Sequence, residues 1–367
     1  MKILFYFREE ISELKLFIGG GKEVKAFRFY EPEVPWKLEE APTPSIGDSD
    51  VLIKIKASGI CGTDLHYKHG RMKPKKIPTI LGHEIAGVVE EIESKVRNVS
   101  VGDRVCVHYI ISCGDCVHCN QGNDNRCRNR RSIGHHVDGG FAEYISIPSR
   151  NAFKLPDEIP FEQGAIIGCA VSTAFHALRA GEFQPGDTVA VFGLGGVGMH
   201  IVAWARVLGA SKIIGVDIVD FKLRLAKEFG ADYTINAMEE DPVKEIRYLT
   251  DDLGVDVSLE VAGTEKTMEY AILSACESNY ASGRVVSVAA QFHPIKIEGM
   301  RTLREGVLRK SGDHTRDELR RVIELVKAKR IDLSKSITHK LPFHELNRGL
   351  EILDEKKENV LKIVITQ

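Results

Sequence analysis

The chain has 367 residues, of which 43% are hydrophobic and 28% are charged, and its formal net charge is -2. This length exceeds what one hydrophobic core usually serves, so we expect two domains. The near-neutral charge argues against nucleic acid or an anionic membrane surface as a partner. No run approaches the ~18 apolar residues of a membrane-spanning helix, and charged residues interrupt the apolar N-terminus, so we expect neither a membrane protein nor a secretory signal.

Short alternating apolar stretches, separated by proline and glycine turns, predict a first half that is rich in β-strands. Residues 1 to about 21 precede it as an extension, which is either an ordered edge strand or a floppy start. The predicted strands lie at 24–29, 36–40, 51–57, 85–92, 104–109 and 139–145. A helix-like run follows at 172–179, with Ser172 or Thr173 as its cap.

From Thr188 the pattern changes to continuous apolar runs that alternate with helical segments. The runs, which are typical of buried parallel strands, lie at 188–192, 212–216, 233–235, 255–261 and 284–289. The helical segments lie at 200–208, 221–229, 242–250 and 265–275, with a packing helix at 316–329 and a last strand at 361–366. This alternation predicts a doubly wound parallel sheet.

Four of the eight cysteines lie close together, which indicates metal binding rather than disulfides. Cys113, Cys116 and Cys119 are followed by Cys127, and four thiolates at this spacing can hold one tetrahedral ion or an iron–sulfur cluster. Because such a set leaves no open coordination position, we expect a structural metal in a loop-rich lobe, with His118 as a bystander. This use of cysteine predicts a reducing, cytoplasmic location.

A glycine-rich turn follows the first strand of the second half and opens a helix. Its members are Gly193, Gly195, Gly196, Val197 and Gly198. In this context, with Asp217 nineteen residues after the last glycine, the turn predicts a dinucleotide site in which the helix N-terminus faces the pyrophosphate. Asp217 would accept hydrogen bonds from the adenosine ribose, which favours NAD over NADP, although Lys222 weakens the repulsion of a 2′-phosphate. The alternative is a glycine turn that binds nothing.

Residues 58–84 hold a second group of metal-ligand and polar side chains. They are Cys61, Thr63, His66, His83 and Glu84. Read alone, this segment is equally compatible with a buried cysteine and surface histidines.

With these residues established, the chain resembles the zinc-dependent medium-chain alcohol dehydrogenases over about residues 24–367. The resemblance is carried by CGTDLH at 61–66, GHE at 82–84, the cysteine lobe at 113–127 and GLGGVG at 193–198. It implies an α/β protein with a GroES-like β-rich catalytic domain and a Rossmann NAD-binding domain with a doubly wound parallel sheet. The catalytic domain would comprise 1–170 and 313–367, with a structural-zinc lobe at about 110–130, and the Rossmann domain 171–312.

The resemblance also implies two zinc ions per chain. Cys61, His83 and Cys169 would hold the catalytic zinc, a Cys₂His pattern for which alcohol dehydrogenase is the known example, and the four clustered cysteines would hold the structural zinc. Cys169, where polyol and threonine dehydrogenases often carry Glu, indicates the alcohol dehydrogenase branch. Glu84 would approach the catalytic zinc, and Asp64 would orient a ligand.

The residues carried over from the family imply a hydride transfer. Zinc would act as a Lewis acid on the substrate alcohol, and the nicotinamide would accept the hydride. Thr63 would take up the released proton, which would pass through the cofactor ribose to His66. Tyr109 aligns with a position that lines the substrate pocket, and Lys362 is a candidate contact of the cofactor pyrophosphate. Met72 is a further candidate neighbour of the pocket.

The segment 291–305 departs from the family pattern near the nicotinamide, with Gln291, His293 and Arg301 as additional polar groups, and it leaves the substrate open. We expect an NAD-dependent zinc alcohol dehydrogenase acting on a primary or secondary alcohol and its aldehyde or ketone. The alternatives are a polyol, sugar or amino-alcohol dehydrogenase on the same scaffold, and a non-catalytic zinc- and nucleotide-binding protein. The family implies a homo-oligomer, either a dimer or a tetramer.

Overall fold

The structure, a computed structural model, describes residues 23–275, 283–292, 294–295, 305–355 and 359–367. The predicted N-terminal extension, His293 and Arg301 lie outside these residues. None of the described helices is long and apolar enough to cross a bilayer.

The strands of the described chain form four sheets. In chain order they are β1 (Glu23–Phe29), β2 (Lys37–Pro42), β3 (Asp50–Ile60), β4 (Thr79–Ile80), β5 (Glu84–Ile92), β6 (Arg104–Val107), β7 (Ile110–Ile111), β8 (Arg131–Ser132), β9 (Tyr144–Pro148), β10 (Ala152–Lys154), β11 (Thr188–Phe192), β12 (Lys212–Asp217), β13 (Tyr233–Asn236), β14 (Val257–Glu260), β15 (Arg284–Ser287), β16 (Val307–Lys310), β17 (His339–Pro342) and β18 (Ile363–Thr366).

The helices of the described chain lie in both halves. They are α1 (Gly62–Lys68), α2 (Val117–Asn120), α3 (Phe161–Ile166), α4 (Ser172–Ala180), α5 (Gly196–Val207), α6 (Asp220–Glu228), α7 (Pro242–Leu249), α8 (Glu265–Leu273), α9 (Arg316–Lys327) and α10 (Leu346–Glu355). A π-helical turn, Ile167–Val171, joins α3 to α4.

Strand β3 is the centre of the largest sheet in the first half. It pairs antiparallel with β5, β9 and β18, and most of its residues are buried. The pairing with β18 brings the end of the chain back to the first half, with Ile363 opposite Ile60. On its other side, β3 pairs with β5, where Gly59 lies opposite Glu84. The residues just before β18 therefore lie close to the start of β5.

The second half contains the predicted doubly wound parallel sheet, which is confirmed. Its strand order is β13-β12-β11-β14-β15-β16, and all neighbours are parallel. The order reverses between β11 and β14, and ligands of such sheets bind in the crevice at this reversal. The edge strand β16 was not predicted, because its side chains are mostly exposed and it therefore lacks a continuous apolar run.

A shared core joins the large antiparallel sheet of the first half to the parallel sheet of the second half. Helix α5, which follows the glycine-rich turn, buries Trp204 completely, and its indole nitrogen donates to the carbonyl oxygen of Val171 at 3.0 Å. Val171 belongs to the π-helical turn that also carries Cys169. The helix of the dinucleotide motif is thus attached directly to the turn that holds a predicted metal ligand.

Candidate active site

Four side chains from three separate segments converge beside the crevice. The ligand atoms of Cys61, His83, Glu84 and Cys169 all lie within 4.8 Å of one another. His83, Glu84 and Cys169 are buried, while Cys61 is partly exposed. Thiolate sulfur and imidazole nitrogen are preferred ligands of zinc, and a small buried set of them fits a single ion.

The position of Cys61 follows from a capping interaction at the start of α1. Its backbone N–H donates to Oδ2 of Asp64 at 2.8 Å, which is one half of a capping box. Burial raises the pKa of Asp64 to about 7, and its Oδ1 has no hydrogen-bond partner among the described residues. Asp64 was predicted to orient a metal ligand, and its carboxyl holds the backbone of Cys61 through this hydrogen bond.

His83 is presented by a glycine turn between β4 and β5. Gly82 has φ +89°, and a Cβ atom there would lie 2.9 Å from the ring of Phe141. A residue with a side chain would therefore move the histidine. Burial alone would lower the pKa of His83, but the hydrogen bond and negative charge of Cys61 outweigh it and raise the value to about 9.

Cys169 lies in the π-helical turn, a feature that often occurs at functional sites. A Cβ atom on Gly168 would lie 2.7 Å from the carbonyl oxygen of Val107, so the turn can approach β6 closely. The hydroxyl of Ser172 donates to the carbonyl oxygen of Ile167 at 2.7 Å, which satisfies an acceptor inside the turn. Helix α4 begins at Ser172, where a helix was predicted, but the predicted cap is wrong: the N-cap is Val171, and no side chain caps the helix because it continues directly from the π-helical turn.

The electrostatics of the converging group favour a bound cation. The hydrogen bond with Cys169 lowers the pKa of Cys61 far below its ordinary value, against the effect of burial, and the positive charges of Lys362 and His83 add to it. The same hydrogen bond and burial raise the pKa of Cys169. Two adjacent sulfurs in this site cannot both be thiolates without a further positive charge, and a divalent metal would supply it.

The four clustered cysteines form a second group of ligand atoms within 4.8 Å of one another. The Sγ–Sγ distance is 3.4 Å for Cys113–Cys127, 3.6 Å for Cys116–Cys119 and 3.9 Å for Cys113–Cys119. A tetrahedron with metal–sulfur bonds of about 2.3 Å has edges of about 3.8 Å. These spacings fit one tetrahedral ion better than a cluster of several irons, and His118 is not part of the group.

The glycine-rich turn has the geometry that a dinucleotide site needs. Gly193 has φ +99°, and a Cβ atom on Gly198 would lie only 1.9 Å from the carbonyl oxygen of Gly193, so both positions require glycine. Gly195 faces open space, since a Cβ atom there would meet no atom within 4 Å. Helix α5 begins at Gly196, with Val197 in its first turn, and its unpaired N–H groups face this opening.

Asp217 ends β12 next to this turn. Its Oδ2 accepts a hydrogen bond from the backbone of Leu194 at 2.7 Å, and its Oδ1 accepts from Ile218 at 2.8 Å and Val219 at 3.1 Å. The Nζ atom of Lys222 is 4.0 Å from Oδ2. The carboxylate is therefore fixed in place, and its remaining lone pairs can still accept from a ribose.

The predicted proton relay lies on α1. The Thr63 hydroxyl oxygen is 3.8 Å from the sulfur of Cys61, and His66 lies three residues further along, on the same side of the helix. The His66 ring packs against Phe292 with 4.5 Å between centroids, and its Nδ1 atom is buried without a hydrogen-bond partner in the described chain. Such an unsatisfied nitrogen fits a site that a ribose hydroxyl completes.

Tyr109 contacts the converging group through its ring, which lies 5.1 Å from that of His83. Its hydroxyl donates to Oδ1 of Asp313 at 2.5 Å, and Asp313 forms an ion pair with Arg130 at 2.5 Å. Burial, followed by the charge of Asp313, raises the pKa of Tyr109. No sequence pattern indicated Asp313, Arg130 or Phe292, because only the folded chain brings them to the site.

Lys362, the predicted pyrophosphate contact, lies between the two candidate sites. It is buried, and its Nζ atom donates to Glu84 at 2.5 Å and to the carbonyl oxygen of Ile60 at 3.1 Å. The same atom is 4.0 Å from the position that a Cβ atom on Gly196 would occupy. Met72, the other candidate pocket residue, packs in the cluster that contains Leu65 and Tyr67.

Comparison with known proteins gives the family. Residues 47–157 match the alcohol dehydrogenase GroES-like domain, and residues 196–328 match the zinc-binding dehydrogenase domain. An alcohol dehydrogenase of Geobacillus stearothermophilus is 34% identical over 334 residues, which cover 89% of this chain and 95% of that protein. The chain belongs to the zinc-dependent medium-chain alcohol dehydrogenase family. It is therefore an oxidoreductase of a zinc-binding family, and the resemblance seen in the sequence is confirmed.

Other members of the family differ in their substrates. A sorbitol dehydrogenase of Bacillus subtilis (strain 168) is 40% identical over 242 residues, 65% of this chain and 68% of that protein. An L-threonine 3-dehydrogenase of the same organism is 34% identical over 326 residues, 86% of this chain and 91% of that protein. Family membership alone therefore does not identify the substrate.

Solved structures agree with the fold. The alcohol dehydrogenase TADH from Thermus sp. ATN1 superimposes with a TM-score of 0.85 at 31% identity, over 93% of this chain and 99% of that chain. A zinc-binding dehydrogenase from Sinorhizobium meliloti 1021, solved bound to NADP, gives 0.84 at 32% identity, over 94% of this chain and 100% of that one. One of these neighbours is solved with NADP and the name of the other mentions no nucleotide, so the choice of cofactor is argued from this chain's own residues.

Proposed function

We propose that this protein is an NAD-dependent zinc dehydrogenase that interconverts a primary or secondary alcohol and the corresponding aldehyde or ketone. The observation that carries the proposal is the convergence of Cys61, His83 and Cys169 within 4.8 Å, next to a glycine turn that only glycine can form. Lys362 connects the metal-ligand group to the glycine turn, because it contacts Glu84 and approaches Gly196. A metal site alone, or a nucleotide groove alone, would not imply hydride transfer.

The residues at the site divide the chemistry between them. Zinc held by Cys61, His83 and Cys169 would supply Lewis-acid polarisation of the substrate oxygen, and NAD would supply the hydride acceptor. Thr63 Oγ1 would accept the hydroxyl proton of the substrate as it gives up its own proton, and His66 would take up the proton given up, at Nδ1, for release towards solvent. The ring of Tyr109 forms an apolar wall beside His83 that excludes water from this step.

The preference for NAD rests on Asp217. Its carboxylate is fixed by three backbone N–H groups at the edge of the groove, where a 2′-phosphate of NADP would meet a negative charge. Lys222 reduces this repulsion only in part, because it stands 4.0 Å away and already faces the same carboxylate. We therefore expect NAD to be the better cofactor.

A second candidate function is a polyol, sugar or amino-alcohol dehydrogenase on the same scaffold. It is favoured by the sorbitol and threonine dehydrogenases among the relatives. The third metal-ligand position is Cys169 here, and the sequence pattern associates a cysteine there with the alcohol dehydrogenase branch. Substrate preference decides between the two, since either activity would use the same metal-ligand group and the same nucleotide groove of this chain.

The test is a substrate panel with NAD and with NADP, monitored by reduced nicotinamide and repeated after chelation. Simple primary and secondary alcohols should be oxidised with NAD, and activity should disappear with the metal. Preference for sorbitol, glucose or threonine would support the second candidate. Nucleotide binding without turnover, and one metal per chain, would instead indicate a non-catalytic protein. Homo-oligomer formation, a cytoplasmic location and the domain limits at 170/171 and 312/313 stay predictions.

A further inference from the structure

Two short segments of the catalytic half carry positive charge without any acidic residue. Residues 65–83 contain Lys68, Arg71, Lys73, Lys75 and Lys76, and residues 125–137 contain four arginines. The whole chain has a net charge of -2, so these segments concentrate a charge that the composition does not predict. Both segments lie close in sequence to predicted site residues.

The fold brings the two segments together. The backbone N–H of Lys75 donates to the carbonyl oxygen of His135 at 2.9 Å, and the hydroxyl of Tyr67 lies 2.6 Å from Nδ1 of the same histidine. Arg131 lies in β8, four residues before that histidine. The 71–76 loop and the 126–136 segment therefore meet on one side of α1.

Part of this charge is neutralised within the protein, and part is not. Lys68 pairs with Asp354, Lys76 with Asp138 and Arg130 with Asp313. Six exposed cations of the two segments form no ion pair in the part of the chain that the structure describes: Arg71, Lys73, Lys75, Arg126, Arg128 and Arg131. Arg126 and Arg128 flank Cys127 of the cysteine lobe, and we call the other four the basic rim: Arg71, Lys73, Lys75 and Arg131. Unpaired like charges repel one another, so a protein that keeps them together gains from an anion between them.

The basic rim borders the candidate active site. Met72 donates its backbone N–H to the carbonyl oxygen of His66 at 3.0 Å, so the rim loop begins directly beside the predicted relay residue. On the other segment, Ile133 donates its backbone N–H to the carbonyl oxygen of Tyr109 at 3.0 Å. Val137 and Cys61 both pack against the buried cluster that contains Cys169.

Two histidines of the second segment, His135 and His136, lie in a positive local field. Burial lowers the pKa of His136, and the positive charges of Lys75, Arg130 and Arg131 lower it further. Burial and the charges of its neighbours act on His135 in the same direction. The field beside the site is thus positive, and it would attract an anionic ligand over about a Debye length, which is ~10 Å at 0.1 M salt.

We infer that the substrate is an anionic hydroxy compound, whose phosphate or carboxylate group binds the basic rim while its hydroxyl group reaches Cys61, His83 and Cys169. This inference rests on the proposed dehydrogenase function and narrows its substrate class. A small anion fits the rim's position, because the backbone bonds of Met72 to His66 and of Ile133 to Tyr109 keep the rim next to the candidate active site.

The experiment compares neutral polyols of three to six carbons with their terminal phosphate monoesters and with the corresponding hydroxy acids. We measure kcat/KM with NAD at low and high salt for the wild type and for the variant Lys73→Gln/Lys75→Gln/Arg131→Gln. The matched control is the variant Lys327→Gln/Lys329→Gln/Arg330→Gln. It removes three exposed cations at the last residue of α9 and just after it. Melting temperatures verify that each variant is folded.

We expect the wild type to favour an anionic compound over its neutral parent at least tenfold, with the preference reduced by salt. The rim variant should lower this ratio ten- to a hundredfold, and the control variant should leave it unchanged. The phosphate and carboxylate arms identify which anion is bound. Equal use of neutral and anionic compounds would overturn the inference while the dehydrogenase function stands, and no turnover of any hydroxy compound would overturn both.

Discussion

The ammonium nitrogen of Lys362 lies 2.5 Å from Oε1 of Glu84, and both side chains are buried. Glu84 directly follows His83, and Lys362 directly precedes the last strand, so this ion pair joins the end of the chain to the candidate metal site. Burial raises the pKa of Glu84, whereas the charge of Lys362 opposes that effect. Its Oε2 atom has no hydrogen-bond partner in the described chain and lies against Gly59.

The Lys362→Met variant tests this pairing. It leaves a buried carboxylate without its cation, and breaking a buried pair in this way costs about 3–5 kcal/mol of unfolding free energy. Adding Glu84→Gln should recover a large part of the loss, because the neutral amide needs no cation. Urea denaturation of the wild type, both single variants and the double variant measures the coupling. Simple additivity would show that the two side chains do not interact.

Asp217→Asn tests the cofactor preference. The amide keeps one acceptor oxygen, places an NH₂ group where the other carboxylate oxygen accepts from the backbone, and loses the charge that binds a ribose and repels a 2′-phosphate. We expect the KM for NAD to rise about tenfold, the equivalent of about 1.4 kcal/mol in a charge-assisted hydrogen bond, and the KM for NADP to fall. Lys222→Gln is the matched control and should weaken NADP use. A wild type that already prefers NADP would refute the role given to Asp217.

His66→Gln tests the proton relay. Burial, and then the charge of Arg71, lower the pKa of His66 below its ordinary value of 6.5, so the ring is neutral at pH 7 and able to accept a proton. The variant should oxidise alcohols about 10²-fold more slowly at pH 7, and an added small base should restore part of the rate. The wild-type rate should fall below pH 6.5, and the variant should lack this dependence.

His69→Gln is the control for the relay. It changes a histidine just beyond the same helix, which lies between Glu33 and Asp354 instead of facing the site. An unchanged pH profile in His66→Gln, or equal losses in both variants, would count against the relay.

Cys116→Ala tests the four-cysteine lobe. The lobe holds the segment that leaves the parallel sheet, since Asn125 donates to the carbonyl oxygen of Gly312 at 2.8 Å and Arg130 pairs with Asp313. Without its metal the lobe should loosen, and we expect the melting temperature to fall by about 5–10 °C, the equivalent of a few kcal/mol. The other metal should stay bound. Unchanged stability and metal content would show that the cysteines hold no structural ion.

Much of the fold could be predicted because its signals are local. The continuous apolar runs at β11 and β12 and the glycine turn between β11 and α5 each follow from neighbouring residues, and these elements are present. The edge strand β16 and the π-helical turn at Cys169 could not be predicted, since exposure and an inserted helical residue leave no periodic pattern.

Some features of the candidate site could likewise be predicted from the sequence, and others could not. Spacing identified the four clustered cysteines, and the family resemblance implied the set of Cys61, His83 and Cys169. Each set forms a compact group in the structure. The contacts of Tyr109 with Asp313, of His66 with Phe292 and of Lys362 with Glu84 join residues far apart in the chain. Such pairs depend on how the two halves pack, so a single sequence contains no signal for them.

The most direct test combines zinc analysis with alcohol-dependent NADH formation for the wild type and Cys61→Ala. Cys106→Ala is the matched control, because Cys106 is a buried thiol outside both ligand groups. We predict two zinc ions per chain and turnover for the wild type and for Cys106→Ala. We predict one zinc ion for Cys61→Ala, with turnover reduced by at least about 10³-fold, the equivalent of about 4 kcal/mol, and the fold intact. Full activity in Cys61→Ala, or wild-type turnover that survives complete zinc removal, would contradict a catalytic zinc at this site.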